Sequence, residues 1–140
     1  YGLFDISTSG LVAQRVRLET IAANLANQET LLDANGNFAP WRRRSVEFAV
    51  GDPAAGSLAG AWPEQPLGVR VANIRESDSF DLRYQPGHPN ADAEGYVRYP
   101  DMDPVMEQID ALDAVRAYEA NIAAVEASKS IYASALGLLA

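Results

Sequence analysis

The sequence of 140 residues is 48% hydrophobic and carries a formal net charge of −8 at pH 7. This apolar content is enough for one core, and the acidic balance excludes a protein that binds nucleic acid non-specifically through its charge. The absence of cysteine excludes disulfides, thiol catalysis and thiolate-bound metals.

The first predicted element is an amphipathic helix over residues 3–27. Large apolar side chains recur along it at heptad spacing, which places them in one seam on the helix surface. The seam consists of Phe4, Leu11, Leu18, Ile21 and Leu25. Gly10 lowers helix stability by about 1 kcal/mol relative to alanine, so we expect the segment before it to fray or to form a separate turn. Asn24 and Asn27 stand near the predicted end, where asparagine is typical of a C-terminal cap.

A β-rich segment is predicted between the two ends of the chain. The pair Asn35-Gly36 predicts a tight turn within the loop 31–40. Alternation of apolar and polar residues predicts three strands and one further short strand, at residues 45–50, 67–74, 80–84 and 96–99. We expect a small antiparallel sheet at one end of the helices. The stretch 51–66 is rich in glycine and proline and is predicted to be a flexible insertion.

Three consecutive arginines, Arg42, Arg43 and Arg44, precede the first predicted strand. Such a cluster can bind phosphate or anionic lipid, although it belongs here to an acidic chain. We expect these arginines to lie at the surface or to pair with acidic faces of neighbouring subunits.

The turn-rich stretch 84–103 raises the question of a metal site. Several residues match the ligand spacing of an EF-hand loop and make a calcium site worth testing. They are Asn90, Asp92, Glu94, Gly95 and Asp101. The prolines that lead this loop leave no room for the preceding helix of an EF-hand, and Asp101 is shorter than the glutamate that normally closes the loop. We predict no metal and no other cofactor.

The same stretch contains His88, the only histidine. Because Gly87 and Pro89 flank it, we interpret His88 as a turn residue and not as a catalytic base. The sequence contains no nucleophile elbow, phosphate loop or zinc-binding pattern. We therefore predict a protein that is not an enzyme and has no small-molecule substrate.

The last predicted element is a helix over residues 103–140, with Asp103 as its N-cap and Pro104 at its first position. Residues at heptad spacing form a seam that is apolar except at Lys129. These residues are Val115, Tyr118, Ile122, Val125, Lys129, Tyr132, Leu136 and Leu139. We predict that this seam packs against Leu11, Leu18, Ile21 and Leu25, and that Arg116 and Asn121 fix the register of the helices through polar contacts.

These elements predict a mainly α protein with a small β domain, of the α+β class. The terminal segments 1–30 and 103–140 pair as a coiled coil, and residues 31–102 form the central β-rich domain. At about 1.5 Å per residue the second helix is roughly 50 Å long, which is more than a globule of this size needs. We expect it to pack with helices of partner molecules; the alternative is an ordinary long helix in which alanine serves helix propensity.

Four stretches of the sequence resemble a known family. Residues 87–105 and 116–121, together with 9–15 and 23–27, are similar to the proximal rod proteins of the bacterial flagellum, within the rod and hook axial family. The matching motif positions are Asn24, Asn27, Gly87, His88, Pro89, Gly95, Tyr96, Pro100, Asp103, Pro104, Arg116, Tyr118, Glu119 and Asn121. The family usually has an asparagine where this chain has Ala23, so hydrogen bonding at that helix end is expected to differ.

The resemblance implies a structural subunit of the basal-body rod. In this family the terminal helices pair and pack with those of neighbouring subunits into a tube that carries motor torque across the periplasm. The implied partners are copies of the chain, other rod proteins, and the membrane ring and export gate at the rod base. The family also implies delivery by the flagellar type III system, which agrees with an N-terminal apolar patch that contains Asp5 and no basic region of a secretory signal.

The alternative interpretation is a soluble coiled-coil adaptor or export chaperone. Such a binding module predicts a stable oligomer of few chains in solution, whereas a rod subunit is expected to be monomeric with disordered ends until it is nucleated. We expect no membrane-spanning segment under either interpretation, because no run of about 18 apolar residues occurs.

Overall fold

The computed structural model of the chain describes residues 2–51 and 68–139. Within these residues, two helices flank four strands in the order α1 (Gly2–Ala26), β1 (Arg44–Val50), β2 (Val69–Glu76), β3 (Phe80–Tyr84), β4 (Tyr96–Pro100) and α2 (Pro104–Leu139). This combination of helices and strands confirms the predicted α+β class. The predicted insertion 51–66 lies outside the described residues except for Gly51. Neither described helix has an apolar stretch long enough to cross a membrane.

The two helices pack against each other and run in opposite directions. Gly10 of α1 lies beneath Asn121 of α2, and Asn24, further along α1, bonds to Glu107 near the start of α2. α1 continues through Gly10 without a break, so the expected fraying before this residue is wrong. Gly10 is buried against α2, and this packing outweighs the low helix propensity of glycine.

The strands form two separate two-stranded sheets and not the single three-stranded sheet that we expected. β1 pairs antiparallel with β2, with an irregularity after Glu47, and β3 pairs antiparallel with β4. The short fourth strand is therefore the partner of the third. A turn joins these two strands. At its start, the backbone N–H of Gln85 donates to the carbonyl of Gly95 over 2.8 Å.

The loop between α1 and β1 contains the predicted tight turn. Asp33 accepts hydrogen bonds from the backbone N–H groups of Asn35 and Asn37, at 2.8 and 2.9 Å, and Gly36 takes a φ of 80° that favours glycine. The bond from the Asn37 N–H is the main cause that lowers the pKa of the Asp33 carboxyl below its ordinary value. These bonds close a small hairpin in which Leu32 pairs with Phe38.

The core of the helix pair consists mainly of small side chains. Among the described residues, the buried apolar positions of the two helices are Ala13, Ile21 and Ala114, and several polar residues of the same helices are also buried. In the second sheet, Val97 and Tyr99 are buried. Many large apolar side chains consequently remain exposed, most of them on α2.

Replacing the N-cap Asp103 with alanine is expected to lower the free energy of unfolding by about 1 kcal/mol. Asp103 Oδ1 accepts a hydrogen bond from the backbone N–H of Val105 over 2.9 Å, and alanine leaves this N–H group unpaired. The measurement is the urea midpoint of the full chain, followed by circular dichroism at the helix band. Asp103→Asn keeps the accepting oxygen and serves as the control. If both variants unfold at the midpoint of the unaltered chain, Asp103 does not cap α2.

Candidate functional site

The face of α2 that packs against α1 is lined by residues at heptad spacing, but not by the largest side chains. Glu107, Ala114 and Ser128 are buried, and Asn121, which belongs to the same series, is partly buried. The small side chains of Ala114 and Ser128 let the helix backbones approach closely, and larger residues then lie on the flanks of the contact. The contact between the two helices is therefore centred one residue before the predicted positions 115, 122 and 129.

The residues of the predicted α2 seam fall into two groups. Tyr118 and Val125 are half-buried, and Tyr132 stacks on Phe4 of α1 with ring centroids 5.3 Å apart. Tyr132 is itself 46% exposed and is grouped with them by this contact. The other group consists of exposed side chains, with relative accessibilities of 39% for Val115, 37% for Ile122 and 67% for Leu136. On α1, Ile21 is buried, and Leu11, Leu18 and Leu25 are half-buried.

The exposed group defines a surface that we call the outer stripe: Val115, Ile122 and Leu136. These residues repeat at seven or fourteen positions, with the exposed Lys129 between Ile122 and Leu136, so they lie along one line of the helix beside the face that contacts α1. Their packing against another molecule stays a prediction. An apolar line of this kind on a long helix can bury itself only against a further helix or sheet.

The residues expected to fix the helix register behave differently from each other. Asn121 lies over Gly10, and a Cβ atom at Gly10 would lie 2.9 Å from the amide oxygen and nitrogen of Asn121. The amide nitrogen of Asn121 donates to the carbonyl of Ala117 over 2.9 Å. Arg116 is exposed. The contact of Asn121 with α1 is thus one of close packing, and its hydrogen bond lies within α2.

A buried polar cluster connects the end of α1, the segment before β1 and the start of α2. We call it the Asn24 cluster, and it consists of Asn24, Trp41, Arg43, Arg44 and Glu107. The side chain of Asn24 is fully buried; its Oδ1 accepts from the backbone N–H of Arg44 (2.9 Å) and from Trp41 Nε1 (3.3 Å). Its Nδ2 donates to the Arg44 carbonyl (2.8 Å) and to Glu107 Oε2 (3.1 Å). Glu107 is 1% exposed, and its other oxygen accepts from Arg43 Nε.

Sequence reasoning missed this cluster. Asn24 was interpreted as a cap, whereas the capping role falls to Asn27, which donates to the Ala23 carbonyl over 2.9 Å and accepts from the Thr30 hydroxyl over 3.0 Å. Glu107 is an acid in the first turn of α2, and this position alone does not indicate a distant partner. The available signal was that Asn24 is one of the motif positions, but no local pattern shows which distant group it meets.

The arginine triplet is paired within the chain. The ion pairs join Arg42 to Asp78 (2.9 Å), Arg43 to Glu107 (2.5 Å) and Arg44 to Glu76 (3.0 Å). The guanidinium of Arg44 also lies 4.4 Å from the centre of the Trp41 ring. Arg42 is exposed, and Arg43 and Arg44 are partly exposed. Acids of the same chain already meet all three cations, and pairing with a neighbouring subunit stays a prediction.

The motif stretch 85–95 forms a network of turns. His88 Nδ1 accepts from the backbone N–H of Asn90 over 3.1 Å, and Asp92 Oδ1 accepts from the N–H groups of Glu94 and Tyr96. Gly95 has a φ of 88°, and a Cβ there would lie 2.9 Å from the Tyr84 ring. His88 therefore occupies the turn position predicted for it.

The residues weighed as calcium ligands do not converge. Asp92 is used by its own turn, and Asp101 accepts from the Ser79 hydroxyl over 2.6 Å. In the part of the chain that the structure describes, no three acidic or histidine side chains are placed to hold a metal ion together. Of the other motif positions, Pro100 is buried at the end of β4, and the exposed ones are Gly87, Pro89, Tyr96, Asp103, Pro104, Arg116 and Glu119.

Comparison with known proteins agrees with these features. The family described as flagella basal body rod protein matches residues 4–30. The flagellar basal-body rod protein FlgC of Bacillus subtilis is 38% identical over 139 residues, with 94% of this chain and 93% of the relative covered. FlgC of Salmonella typhimurium is 40% identical, with 97% and 95% covered, and FlgC of Borreliella burgdorferi is 38% identical, with 99% and 98% covered. The chain therefore belongs to the FlgC family of flagellar basal-body rod proteins.

Proposed function

We propose that the chain is a structural subunit of the proximal rod, and that it assembles with copies of itself and with other rod proteins into the tube that transmits motor torque. The observation that carries this proposal is the outer stripe on α2. A helix of 36 residues is about 54 Å long, and only one of its faces is covered by α1. The stripe leaves an apolar line available over much of this length.

The finer proposal concerns how the helices pair. We infer that α1 and α2 form a coiled coil, with Glu107, Ala114, Asn121 and Ser128 as one heptad series and Tyr118, Val125 and Tyr132 in the other. The spacing of these residues and the opposite directions of the helices support this arrangement. In it, Tyr118 and Val125 lie between the face that contacts α1 and the outer stripe, so they can contribute to both packings.

The outer stripe then receives a helix of a neighbouring subunit. Burial of an apolar side chain such as Ile122 contributes roughly 1.5–3 kcal/mol, and the same contact repeats at every subunit of a helical tube. Modest contacts that repeat in this way make a shaft stiff. The small residues Ala120, Ala123, Ala124 and Ala127, which are also exposed, permit close approach on a further side of α2.

The proposed division into domains follows from this packing of the helices in the tube. Residues 1–30 and 103–140 form the helical part within the tube wall, and residues 31–102 form the outer β-rich part. We propose that the subunit lies in the periplasmic rod after type III export, with the membrane ring and export gate at the rod base; membership of the rod family supports this proposal. Neither nucleic acid nor a small-molecule substrate has a part in this function.

Electron microscopy of basal bodies from a strain that lacks only this protein tests the proposal. Loss of the rod, with the membrane ring and the export gate still present, supports a structural subunit needed early in the shaft. Intact rods reject it. In that case a stable oligomer of few chains, measured by light scattering of the purified protein, would favour the adaptor or chaperone alternative.

A further inference from the structure

We infer that the Asn24 cluster is a latch that couples the pairing of α1 with α2 to the position of the first sheet. In this arrangement the segment 41–44 and the start of β1 are held in place only when α2 is docked on α1. The inference concerns the isolated chain and does not depend on the proposed place in the rod.

Asn24 holds the start of β1 by its backbone. The Asn24 amide accepts from the backbone N–H of Arg44 and donates to the backbone carbonyl of Arg44. One side chain therefore binds both backbone polar groups of Arg44. Trp41 is held by the same amide oxygen. Because Asn24 is fully buried, water does not compete for these bonds while the segment is in place.

Glu107 is the part of the latch that comes from α2. It is 83 residues from Asn24 in the chain, and its buried carboxylate bonds to Asn24 through one oxygen and to Arg43 through the other. A buried carboxylate is stable only if it is paired and hydrogen-bonded. Undocking of α2 therefore removes one partner from Asn24 and the main partner from Arg43 at the same time.

The cluster is also the principal connection between α2 and the first sheet. Among the described helices and strands, α2 packs directly only against α1, whereas β1 and β2 pack against each other and against α1. A further hydrogen bond of this sheet runs to α1, where the N–H of Val69 donates to the Ser9 hydroxyl over 3.0 Å. Arg43 also pairs with Asp110 of α2, but this ion pair is longer at 3.8 Å and partly exposed.

The first test follows the latch and the helices separately in the full chain. Replacing Trp62 with phenylalanine leaves Trp41 as the only tryptophan, so its fluorescence reports the cluster while circular dichroism reports the helices. Unfolding is recorded from trimethylamine N-oxide, which favours the folded state, into urea. The latch predicts coincident transitions for the two probes. Separate transitions, with Trp41 losing its environment before or after the helices, overturn the inference.

The second test uses hydrogen exchange on variants in the stabilising solvent. Glu107→Ala is expected to speed exchange of the amides of Arg44–Val50 at least tenfold, while amides in the middle of α1 change less than threefold. Glu107→Gln keeps the shape of the side chain but loses the charge that binds Arg43, so its effect in the same segment is expected to be smaller. This variant takes the place of Glu107→Ala if Glu107→Ala does not fold. Glu126→Ala, at an exposed carboxylate of the same helix, is the matched control.

The pattern of exchange decides the outcome. Faster exchange confined to the first sheet and to segment 41–44 supports the latch. An equal acceleration over α1 and the sheet shows that Glu107 contributes only general stability, and unchanged exchange in the sheet shows that the cluster does not hold it; either result overturns the inference.

Discussion

Replacing Ile122 with aspartate is expected to abolish rod assembly and swimming, while the helices of the isolated chain stay paired. Ile122 belongs to the outer stripe and is 37% exposed, so aspartate there can remain hydrated in the single chain. In the assembled tube the same carboxylate would be buried against a neighbouring helix without a partner. Burial of an unpaired charge costs several kcal/mol, and the cost recurs at every subunit.

Two measurements separate these effects. Swimming in soft agar and electron microscopy of basal bodies report assembly, and the helix signal of the purified chain reports intrachain pairing. Ile122→Val keeps an apolar side chain and is expected to swim normally. Normal swimming of the Ile122→Asp strain would show that the outer stripe is not an interface between subunits.

Replacing Gly10 with valine is expected to lower the free energy of unfolding by about 2 kcal/mol, the size typical of an overpacked helix contact. A Cβ atom at this position would lie 2.9 Å from both polar atoms of the Asn121 amide. Asn121 is partly buried and bonded to the Ala117 carbonyl, so it cannot move away without loss. Gly10→Ala should be nearly neutral, because the gain in helix propensity of about 1 kcal/mol offsets the milder clash.

Urea unfolding of the full chain measures this effect, and Gly137 provides the matched control. Gly137 also lies within a helix, but no atom lies within 4 Å of a Cβ built there, so Gly137→Val should change the stability little. Asn121→Ala is expected to relieve the clash, so that Gly10→Val costs less in the Asn121→Ala background. If Gly10→Val proves as mild as Gly137→Val, the close crossing of the helices at Gly10 is refuted.

Local patterns predicted the elements well where the chemistry is local. Asp103 and Pro104 mark the start of α2 because the cap and the first turn involve neighbouring residues only. The Asn35-Gly36 turn was predicted for the same reason. The predicted single sheet was wrong, because alternation identifies a strand but does not specify which other strand it pairs with.

The face of α2 shows the limit of periodicity. Heptad spacing identified a seam through Tyr118, Val125 and Tyr132, but the series that includes Val115 and Ile122, apolar except at Lys129, is not the series most buried against α1. Close contact at Gly10 favours small residues at the centre of the crossing. Hydrophobicity alone ranks the larger residues first, so the sequence could not reveal this preference.

The sequence by itself determined the two long helices, the capped start of α2, the tight turn and, through its motifs, membership of the rod family. Only the tertiary structure decided the partners of Asn24, Glu107 and the arginine triplet. These residues are 17 to 83 positions apart in their bonded pairs, and several acids and bases could in principle have met. Which of them do meet depends on how α1, β1 and α2 pack, since a buried polar group is stable only with the partner that this packing brings to it.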